Sequence, residues 1–417
     1  MTRPIIPAGS RAVAGTTGII PARSLRPSLP QRLLAALVAA VPPLLLLFWA
    51  APAAWSQPSG VRADAWALAD LRSGEVLAGH DARERLPIAS TTKIMLALVV
   101  LREGDLDREV VVSQGAAAYA APPYSNVGLR AGDVLSVREL LMASLIASGD
   151  DAAYALAEAL GGGSVERFVE KMNREARRLG LEDTHFQNPV GLDGKRHRSS
   201  ARDLIRMSRA AMGYPLFREI VATEYATITT QDREIPLTNT NQLLFTYPPA
   251  TGIKTGTTPA AGPCLVASAA AGDESYVAVV LDAAADRFAA SVRLLEYGFS
   301  AYDRRELVRR GERYASVEVP YRRGERVPLL AGESVGGLLG PTSRVRREVE
   351  VMEELPDAAR RGDRLGRIVV WVDGERVGSA PLVAGRSYDE ASLWERLWYT
   401  VEGFFSDRPR AGGEEGG

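Results

Sequence analysis

Apolar and polar residues alternate along the chain with the periodicity of mixed α/β structure from about residue 62 to residue 305. The pattern predicts a strand at 65–71, a turn at 72–75 and a second strand from Val76, which together form a hairpin. It then predicts, in order, helices at 90–103, 137–145, 152–160 and 165–179, and strands at 253–257, 264–270 and 275–281. Because the helices separate the early strands from the late ones, we expect one sheet built from both ends of this region.

The pattern changes between residues 306 and 388, where short β-type runs alternate with turn signals such as Asp373-Gly374. We predict a small all-β domain here, with strands at 316–319, 349–352, 368–372 and 377–380. The last twelve residues, 406–417, have the composition of a disordered tail.

A short amphipathic segment at 391–405 follows the predicted β-domain. At about 100° per residue, seven apolar residues fall within an arc of roughly 140°, namely Leu393, Trp394, Leu397, Trp398, Val401, Phe404 and Phe405. Tryptophan and phenylalanine on such a face suit the headgroup boundary of a membrane, and the segment is too short to span one. We therefore predict a membrane-surface helix within 389–405, although Arg396 is the only cation on its polar face. A helix packed on the β-domain core is the alternative.

The first 56 residues have the pattern of a secretory signal. Residues 1–32 contain arginines and no acidic residue, an apolar run extends from Leu33 to about Trp55, and small residues follow. The apolar run is also long enough for an uncleaved anchor, and a buried core helix is a third interpretation. We expect an exported protein with a catalytic domain at 57–305, in which 1–56 is a signal peptide or an N-terminal anchor.

Charge and composition exclude several classes of protein. Fifty basic and 51 acidic residues give a net charge of −1, which does not favour a nucleic-acid-binding surface. The single cysteine, Cys264, forms no internal disulfide and is not a metal site by itself, so we expect neither metal nor cofactor. Only four of the fifty basic residues are lysines. Lysine can lose its proton and act as a base, whereas arginine stays charged, so each lysine is a candidate for chemistry.

The segment Ser90-Thr91-Thr92-Lys93 opens a predicted helix. Residues three apart lie on the same face of a helix about one turn apart, so Lys93 can reach the Ser90 hydroxyl. Serine becomes a nucleophile when a base takes its proton, and a desolvated lysine can serve as that base. The positive end of the helix favours negative charge developing at Ser90. An ordinary helix start is the alternative interpretation of this motif.

Two more motifs follow in the chain. Ser148-Gly149-Asp150 lies between two predicted helices, where Ser148 or Asp150 is alternatively a helix N-cap. Lys254-Thr255-Gly256-Thr257 lies in a predicted strand, where the missing side chain of Gly256 lets a substrate backbone approach closely. Lys254 can hold a substrate carboxylate there, or it is a solvated lysine on an edge strand. Serine–lysine, serine and lysine–threonine–glycine in this order are typical of serine acyl-enzymes.

These motifs and their flanking residues resemble the low-molecular-mass penicillin-binding proteins that are D-alanyl-D-alanine carboxypeptidases. The likeness covers about 60–405, with the C-terminal β-region more loosely similar. Three signatures carry it: Leu86 to Met95 for the nucleophile; Thr184-His185-Phe186, Asn188-Pro189, Gly191-Leu192-Asp193 and Ser199 to Asp203 in the middle; and Gly252 to Thr258 with Ala261-Gly262 and Cys264-Leu265. The resemblance implies a penicillin-binding/β-lactamase-like α/β fold, with a sheet flanked by helices and the site at the sheet edge.

The resemblance also implies roles for the motif residues. Lys93 would take the proton of Ser90, Ser148 would relay a proton to the departing D-alanine, and Lys254 with Thr255 and Thr257 would bind the terminal carboxylate. Peptidoglycan stem peptides would be the substrates and β-lactam antibiotics the inhibitors. The family's second motif usually has asparagine where this chain has Asp150, and an ionised carboxylate cannot donate a hydrogen bond. Asp150 is therefore protonated, or paired with Lys93 or Lys254, or assisted by Asp151.

Three other functions compete with this interpretation. A Ser-His-Asp hydrolase would need a nucleophile elbow, but the one Gly-x-Ser-x-Gly match, around Ser334, lies in the β-rich region and follows all three histidines. A class A β-lactamase would need a glutamate–any–any–leucine–asparagine segment, and the nearest match, Glu234 to Thr238, lacks the asparagine. A non-catalytic binding module is the third alternative, supported only by Asp150.

Overall fold

The computed structural model describes residues 58–103, 105–283 and 286–406, and gives the backbone alone for 400 and 402–406. The predicted signal or anchor at 1–56, and the predicted tail after its first residue, lie outside the described residues. Within the described residues, no helix combines the length and the apolar character that crossing a membrane requires.

The first region contains the mixed α/β elements that the sequence predicts. Its strands are β1 (Ala65–Asp70), β2 (Val76–His80), β3 (Glu109–Val111), β4 (Val134–Ser136), β5 (Tyr225–Thr229), β6 (Glu234–Thr238), β7 (Ala250–Thr258), β8 (Gly262–Ala271) and β9 (Glu274–Leu281). A 3₁₀ turn (Ala89–Thr92) precedes the helices α1 (Lys93–Glu103), α2 (Gln114–Ala117), α3 (Val137–Ile146), α4 (Asp150–Leu160), α5 (Val165–Arg178), α6 (Ala201–Met212), α7 (Pro215–Ala222), α8 (Leu243–Thr246) and α9 (Arg287–Ala301).

One antiparallel sheet organises this region, in the order β2-β1-β9-β8-β7. β1 pairs with β9 along its whole length, from Ala65 opposite Leu281 to Asp70 opposite Tyr276. The prediction of a sheet built from both ends of the region is therefore confirmed. β7 forms one edge of the sheet, which leaves one side of this strand without a neighbouring strand.

Both faces of the sheet are buried. Successive side chains of a strand point to opposite faces, so β1 contributes residues to a core on each face. Ala65, Ala67 and Ala69 of β1 join the core that contains α1, α3 and α6. Trp66 and Leu68 join a second core, in which α9 covers the other face of the sheet. The small alanines let the helical layer approach closely, and the paired apolar cores hold β7 in place beside that layer.

Side-chain caps begin several helices of the helical layer. Ser136 and Glu139 form a reciprocal capping box at α3, and Ser164 and Ser200 cap α5 and α6. At α4 the N-cap is Gly149, which has no side chain to form a cap, and Asp150 is the first helical residue. The interpretation of Ser148 or Asp150 as an N-cap is therefore wrong, because the turn places both side chains elsewhere.

The second region is all-β, as predicted. Its strands are β10 (Asp303–Val308), β11 (Arg313–Glu318), β12 (Arg326–Ala331), β13 (Val335–Leu339), β14 (Val345–Val351), β15 (Arg364–Val372) and β16 (Glu375–Ala384). Five of them form a sheet in the order β11-β12-β16-β15-β14, while β10 pairs with β13. Val327, Leu329 and Ile368 lie in one separate apolar core. The helix α10 (Leu393–Ser406) follows this region.

Candidate active site

A tight turn presents Ser90 at the start of the helical layer. Ala89 has a positive φ of 46°, and the Thr91 hydroxyl donates to the Ile88 carbonyl at 2.7 Å. Ser90 lies in the 3₁₀ turn that leads into α1, so the predicted helix at 90–103 begins with this tighter turn. The geometry brings the Lys93 Nζ to 2.9 Å from the Ser90 Oγ, as the spacing of the motif predicts.

Lys93 is fully buried and makes three hydrogen bonds. Its Nζ donates to the Ser90 Oγ at 2.9 Å, to the Asp150 Oδ1 at 2.6 Å and to the Val190 carbonyl at 3.0 Å. Burial lowers the pKa of the Lys93 amine, because the charged form loses its hydration, and the negative charge of Asp150 opposes that shift. The amine is therefore held against the serine hydroxyl and biased toward losing its proton.

Asp150 forms an ion pair with Lys93, which is one of the three arrangements that the sequence left open. The Asp151 carboxylate does not contact Lys93, because it accepts hydrogen bonds from the backbone N–H groups of Val127 and Leu129. Ser148 is buried in the turn before α4, with a positive φ of 62°. The chain thus fixes a carboxylate on Lys93 where the resembled family has an amide.

The edge strand β7 carries the third motif into the same site. Lys254 is 1% exposed, so its interpretation as a solvated edge-strand lysine is wrong. Burial and then the charge of Lys93 lower the pKa of the Lys254 amine well below its ordinary value. The Thr255 hydroxyl forms a hydrogen bond with the Thr240 hydroxyl, with the two oxygens 2.6 Å apart. Lys254 consequently lies within the same electrostatic cluster as Lys93 and Asp150.

Gly256 is required at its position by the nucleophile turn. A Cβ atom there would lie 2.8 Å from the Ser90 nitrogen and 3.0 Å from the Ala89 Cβ. Sequence reasoning assigned this glycine to a close approach of substrate, but the direction of the missing side chain is toward Ser90. The glycine lets β7 lie directly against the turn that carries the nucleophile.

A loop between α5 and α6 closes the other side of Lys93. The Asn188 Oδ1 accepts hydrogen bonds from the backbone N–H groups of Val190, Gly191 and Leu192 at 3.3, 2.7 and 3.0 Å. A Cβ on Gly191 would lie 2.1 Å from the Ala89 carbonyl oxygen. Asn188 therefore shapes the loop whose Val190 carbonyl holds Lys93. The sequence showed Asn188-Pro189 only as part of a family signature.

A buried histidine supports this loop from behind the nucleophile. The His197 Nδ1 accepts from the Gln187 N–H at 3.1 Å, and its Nε2 lies 2.8 Å from the Thr92 hydroxyl. Burial lowers the pKa of His197 to about 4, so the ring is neutral at ordinary pH and its Nε2–H donates to Thr92. This histidine contacts Thr92, one of the two residues between Ser90 and Lys93, and not the Ser90 hydroxyl.

Arg287 is a functional candidate that the sequence reasoning missed. Its Nη1 donates to the Thr257 Oγ1 at 2.7 Å and to the Gly256 carbonyl at 2.8 Å. The residue opens α9, which Asp286 caps, and the packing of α9 on the sheet brings the guanidinium to the end of β7. The only sequence signal near Arg287 was Asp286 before an apolar helical pattern. This signal indicates the start of a helix, but it gives no information about a contact with β7.

The competing nucleophile has no catalytic surroundings. Ser334 lies before β13 in the all-β region, where its hydroxyl donates to Glu306 and accepts from the Arg310 N–H. No histidine is among its contacts in the described part of the chain. The residues that the structure does bring together, Ser90, Lys93, Asp150 and Lys254, define a serine-type hydrolase built around a serine–lysine pair.

Comparison with known proteins identifies the family of this hydrolase. Residues 52–285 match the model of the D-alanyl-D-alanine carboxypeptidase family, and residues 302–390 match that of the C-terminal domain of penicillin-binding protein 5. The chain belongs to the D-alanyl-D-alanine carboxypeptidase family, which confirms the resemblance that the motifs carry.

Individual relatives cover most of the chain. D-alanyl-D-alanine carboxypeptidase DacF of Bacillus subtilis is 33% identical over 87% of this chain and 96% of its own length. The solved structure of penicillin-binding protein 5 from Haemophilus influenzae has a TM-score of 0.64 and 28% identity, covering 80% of this chain and 99% of its own. The Streptomyces K15 DD-transpeptidase has a TM-score of 0.55 and 35% identity, covering 58% of this chain and 98% of its own.

Proposed function

We propose that this protein removes the terminal D-alanine from peptidoglycan stem peptides through an acyl-enzyme on Ser90. The observation that carries the proposal is the 2.9 Å contact between the buried Lys93 amine and the Ser90 hydroxyl. A lysine whose pKa is lowered by burial can take the serine proton, and arginine at this position could not. The β-lactam antibiotics are expected inhibitors, because they acylate the same nucleophile.

Acylation begins when Lys93 accepts the Ser90 proton and Ser90 attacks the carbonyl between the two D-alanines. Backbone N–H groups of Ser90 and of a residue near Thr257 would stabilise the oxyanion. Ser148 would relay the proton from Lys93 to the nitrogen of the departing D-alanine, and water would then hydrolyse the acyl-enzyme and free the Ser90 hydroxyl. The rigid turn at Ala89 and the close packing of Gly256 support this assignment, since both fix the nucleophile relative to β7.

Asp150 would set the protonation state of the base. Its carboxylate is 2.6 Å from the Lys93 Nζ, so an ionised pair keeps the lysine protonated until substrate binds or the pH rises. An asparagine there would leave a neutral lysine at lower pH. We infer that this chain performs the family's reaction with a more strongly held proton on Lys93.

The substrate carboxylate would bind beside β7. Sequence reasoning assigned it to Lys254 with Thr255 and Thr257. Burial lowers the pKa of the Lys254 amine, and also that of the Arg287 guanidinium, but only Arg287 already contacts the Thr257 hydroxyl. We therefore add Arg287 to the carboxylate site and keep Lys254 as the group that tunes Lys93.

Hydrolysis of a synthetic peptide tests the proposed function. A peptide ending in D-alanyl-D-alanine should release D-alanine, and the same peptide ending in D-alanyl-L-alanine should not. Ser90→Ala should abolish release, while Ser334→Ala, a serine in the all-β region, should leave it unchanged. Adding a D-amino acid as acceptor separates hydrolysis from transfer. The proposal is wrong if Ser90→Ala still turns over the peptide, or if penicillin is hydrolysed rapidly and the peptide is not.

We also propose that the protein is exported and attached to the outer face of the cytoplasmic membrane through 391–405. The apolar face of α10 is turned away from the β-region: Leu393 is 85% exposed, Trp394 80% and Leu397 56%. On the polar side, Arg396 pairs with Asp357 of the β-region and with Glu390, which precedes the helix. These contacts favour the membrane interpretation over a helix packed into the β-domain core.

Sedimentation with vesicles tests the membrane proposal. The protein without residues 1–56 should bind phospholipid vesicles, and truncation after Glu390 should release it while penicillin labelling persists. Replacing Leu393 and Leu397 with serine should weaken binding, whereas serine at Tyr399, whose ring packs against Tyr321 of the β-region, is a control that keeps the apolar face. Vesicle binding that survives the truncation would contradict the proposal. We also propose that the chain is divided into an N-terminal signal or anchor at 1–56, a catalytic domain at 57–305, a β-rich domain at 306–388, a membrane-surface helix within 389–405 and a tail at 406–417.

A further inference from the structure

Four arginines line a cavity of about 1020 Å³ that is separate from the serine–lysine site. Arg72 comes from the turn between β1 and β2, Arg206 and Arg209 from α6, and Arg218 from α7. Leu71 and Leu179 supply part of an apolar lining.

The cavity lies far from Ser90 along the sheet. Ser275, which lines it, is opposite Ala270 of β8, whereas Gly256 beside Ser90 is opposite Cys264 of the same strand. Six residues of a strand at about 3.4 Å each separate these positions by roughly 20 Å. Ligands in the arginine cavity therefore do not contact the reacting atoms at Ser90.

Backbone carbonyls fix three of the guanidinium groups at the cavity. The Arg209 Nε donates to the Arg72 carbonyl at 2.9 Å, the Arg206 Nη1 to the Gly180 carbonyl at 2.9 Å and the Arg218 Nη1 to the Met212 carbonyl at 2.5 Å. Each bond uses one of five N–H donors on the guanidinium. The groups are thus oriented by the chain while most of their donors stay available.

Close ion pairs are scarce among the cavity arginines, although the Arg206 guanidinium also acts electrostatically on the buried Asp203 carboxyl. Among the described residues, Arg206, Arg209 and Arg218 have no carboxylate oxygen within 4.0 Å, and Arg72 reaches only the exposed Asp273, at 3.6 Å. Arg233 of the same region, in contrast, pairs with Asp133 at 2.6 Å. The guanidinium groups around the cavity repel one another, only weakly where they are exposed to water, and a bound anion would relieve this repulsion.

We propose that this cavity binds a phosphate group. Guanidinium groups bind phosphate bidentately, and a phosphate monoester carries about −1.5 to −2 charge at neutral pH. Its tetrahedral oxygens can face several arginines at once, whereas a carboxylate presents two oxygens in one plane. The adjoining Leu71 and Leu179 would contact the apolar part of a phosphate-bearing molecule.

Calorimetric titration of the full chain tests this inference, with inorganic phosphate and pyrophosphate as probes at constant ionic strength. Binding should be saturable and tighter for pyrophosphate. Arg206→Gln with Arg218→Gln should weaken it by about tenfold or more, because each arginine supplies charge-assisted hydrogen bonds. The charge-matched control is Arg361→Gln with Arg376→Gln in the all-β region, which should bind as the unmodified chain does.

Three results would overturn the inference: no saturable binding, equal weakening by the control pair, or unchanged binding by the cavity pair. Thermal unfolding and penicillin labelling of each variant show whether it is folded. If the glutamine pair fails to fold, Arg206→Lys with Arg218→Lys keeps the charge and removes the bidentate fork, and it should still weaken pyrophosphate binding. Soluble glycerol phosphate oligomers and phosphatidylglycerol vesicles, each tested for competition with pyrophosphate, then distinguish a wall-polymer source from a lipid headgroup.

Discussion

Replacing Asp150 with asparagine should move the acidic limb of the pH–rate profile to lower pH. Lys93 must be neutral to take the Ser90 proton, and burial already lowers the pKa of its amine. The Asp150 carboxylate, 2.6 Å away, opposes that shift by stabilising the ammonium form. Removing the negative charge lowers the Lys93 pKa further, so the active, neutral form persists at a lower pH.

The size of the shift follows from the geometry of the pair. At the 2.6 Å separation of Nζ and Oδ1, two unit charges interact by about 6 kcal/mol at an effective dielectric constant of about 20. At about 1.36 kcal/mol per pKa unit, this is an upper bound of roughly five units. The asparagine oxygen still accepts a hydrogen bond from the amine, so we expect a shift of about one to three units in Asp150→Asn.

Stopped-flow acylation by a chromogenic β-lactam, measured from acidic to alkaline pH, gives the profile directly. Asp151→Asn is the matched control: it removes the same charge one residue away, without contact to Lys93, and should shift the limb less. Thermal unfolding of both variants checks that the helical layer is intact. An unchanged limb in Asp150→Asn, or a limb at higher pH, would refute the assignment of Lys93 as a base held by Asp150.

Three other substitutions probe the surroundings of the serine–lysine pair. Asn188→Ala should slow acylation by about tenfold or more, because the Val190 carbonyl loses its fixed position on Lys93, and a change in stability without a change in rate would contradict this. Gly256→Ala should reduce labelling of Ser90 by penicillin, since the new methyl group lies 2.8 Å from the Ser90 nitrogen; normal labelling would show that β7 tolerates a side chain. Arg287→Gln should raise the KM for a D-alanyl-D-alanine peptide more than it lowers kcat, and the reverse pattern would exclude carboxylate binding.

The sequence predicted the parts of the site that depend on local geometry. Ser90 and Lys93 are three residues apart on one helical turn, so their contact follows from the helical periodicity alone. The strand pattern around Lys254 likewise placed the third motif correctly on β7. The positions of the early and late strands in the chain were enough to predict the sheet. Both groups of strands are apolar, and pairing between the two groups buries their side chains.

Contacts across long chain separations could not be predicted in this way. The Val190 carbonyl on Lys93 joins residues 97 apart in sequence, and its position depends on the loop that Asn188 shapes. A solvated Lys254 stayed open as an alternative because edge strands usually expose their lysines, but the side chain is buried. The partner of Asp150 was undecided for the same reason, since the turn at Ser148 and Gly149 determines the direction of its carboxylate.

Several helices were also missed, with consequences for the site. The helix α9, where a buried pair, Leu294 and Leu295, packs on the sheet, was not predicted from the sequence. Without α9 the position of Arg287 at the end of β7 could not be inferred. The helices α6 and α7, which carry three of the four cavity arginines, were absent from the prediction as well.

Mapping of the penicillin adduct tests the central claim most directly. After incubation of the protein with labelled penicillin and proteolysis, mass spectrometry should find one covalent adduct, on the peptide that contains Ser90. Ser90→Ala should remove it, and Lys93→Arg should slow its formation by several orders of magnitude while keeping the positive charge. An adduct on another serine, or acylation of Lys93→Arg at the unmodified rate, would contradict the serine–lysine mechanism.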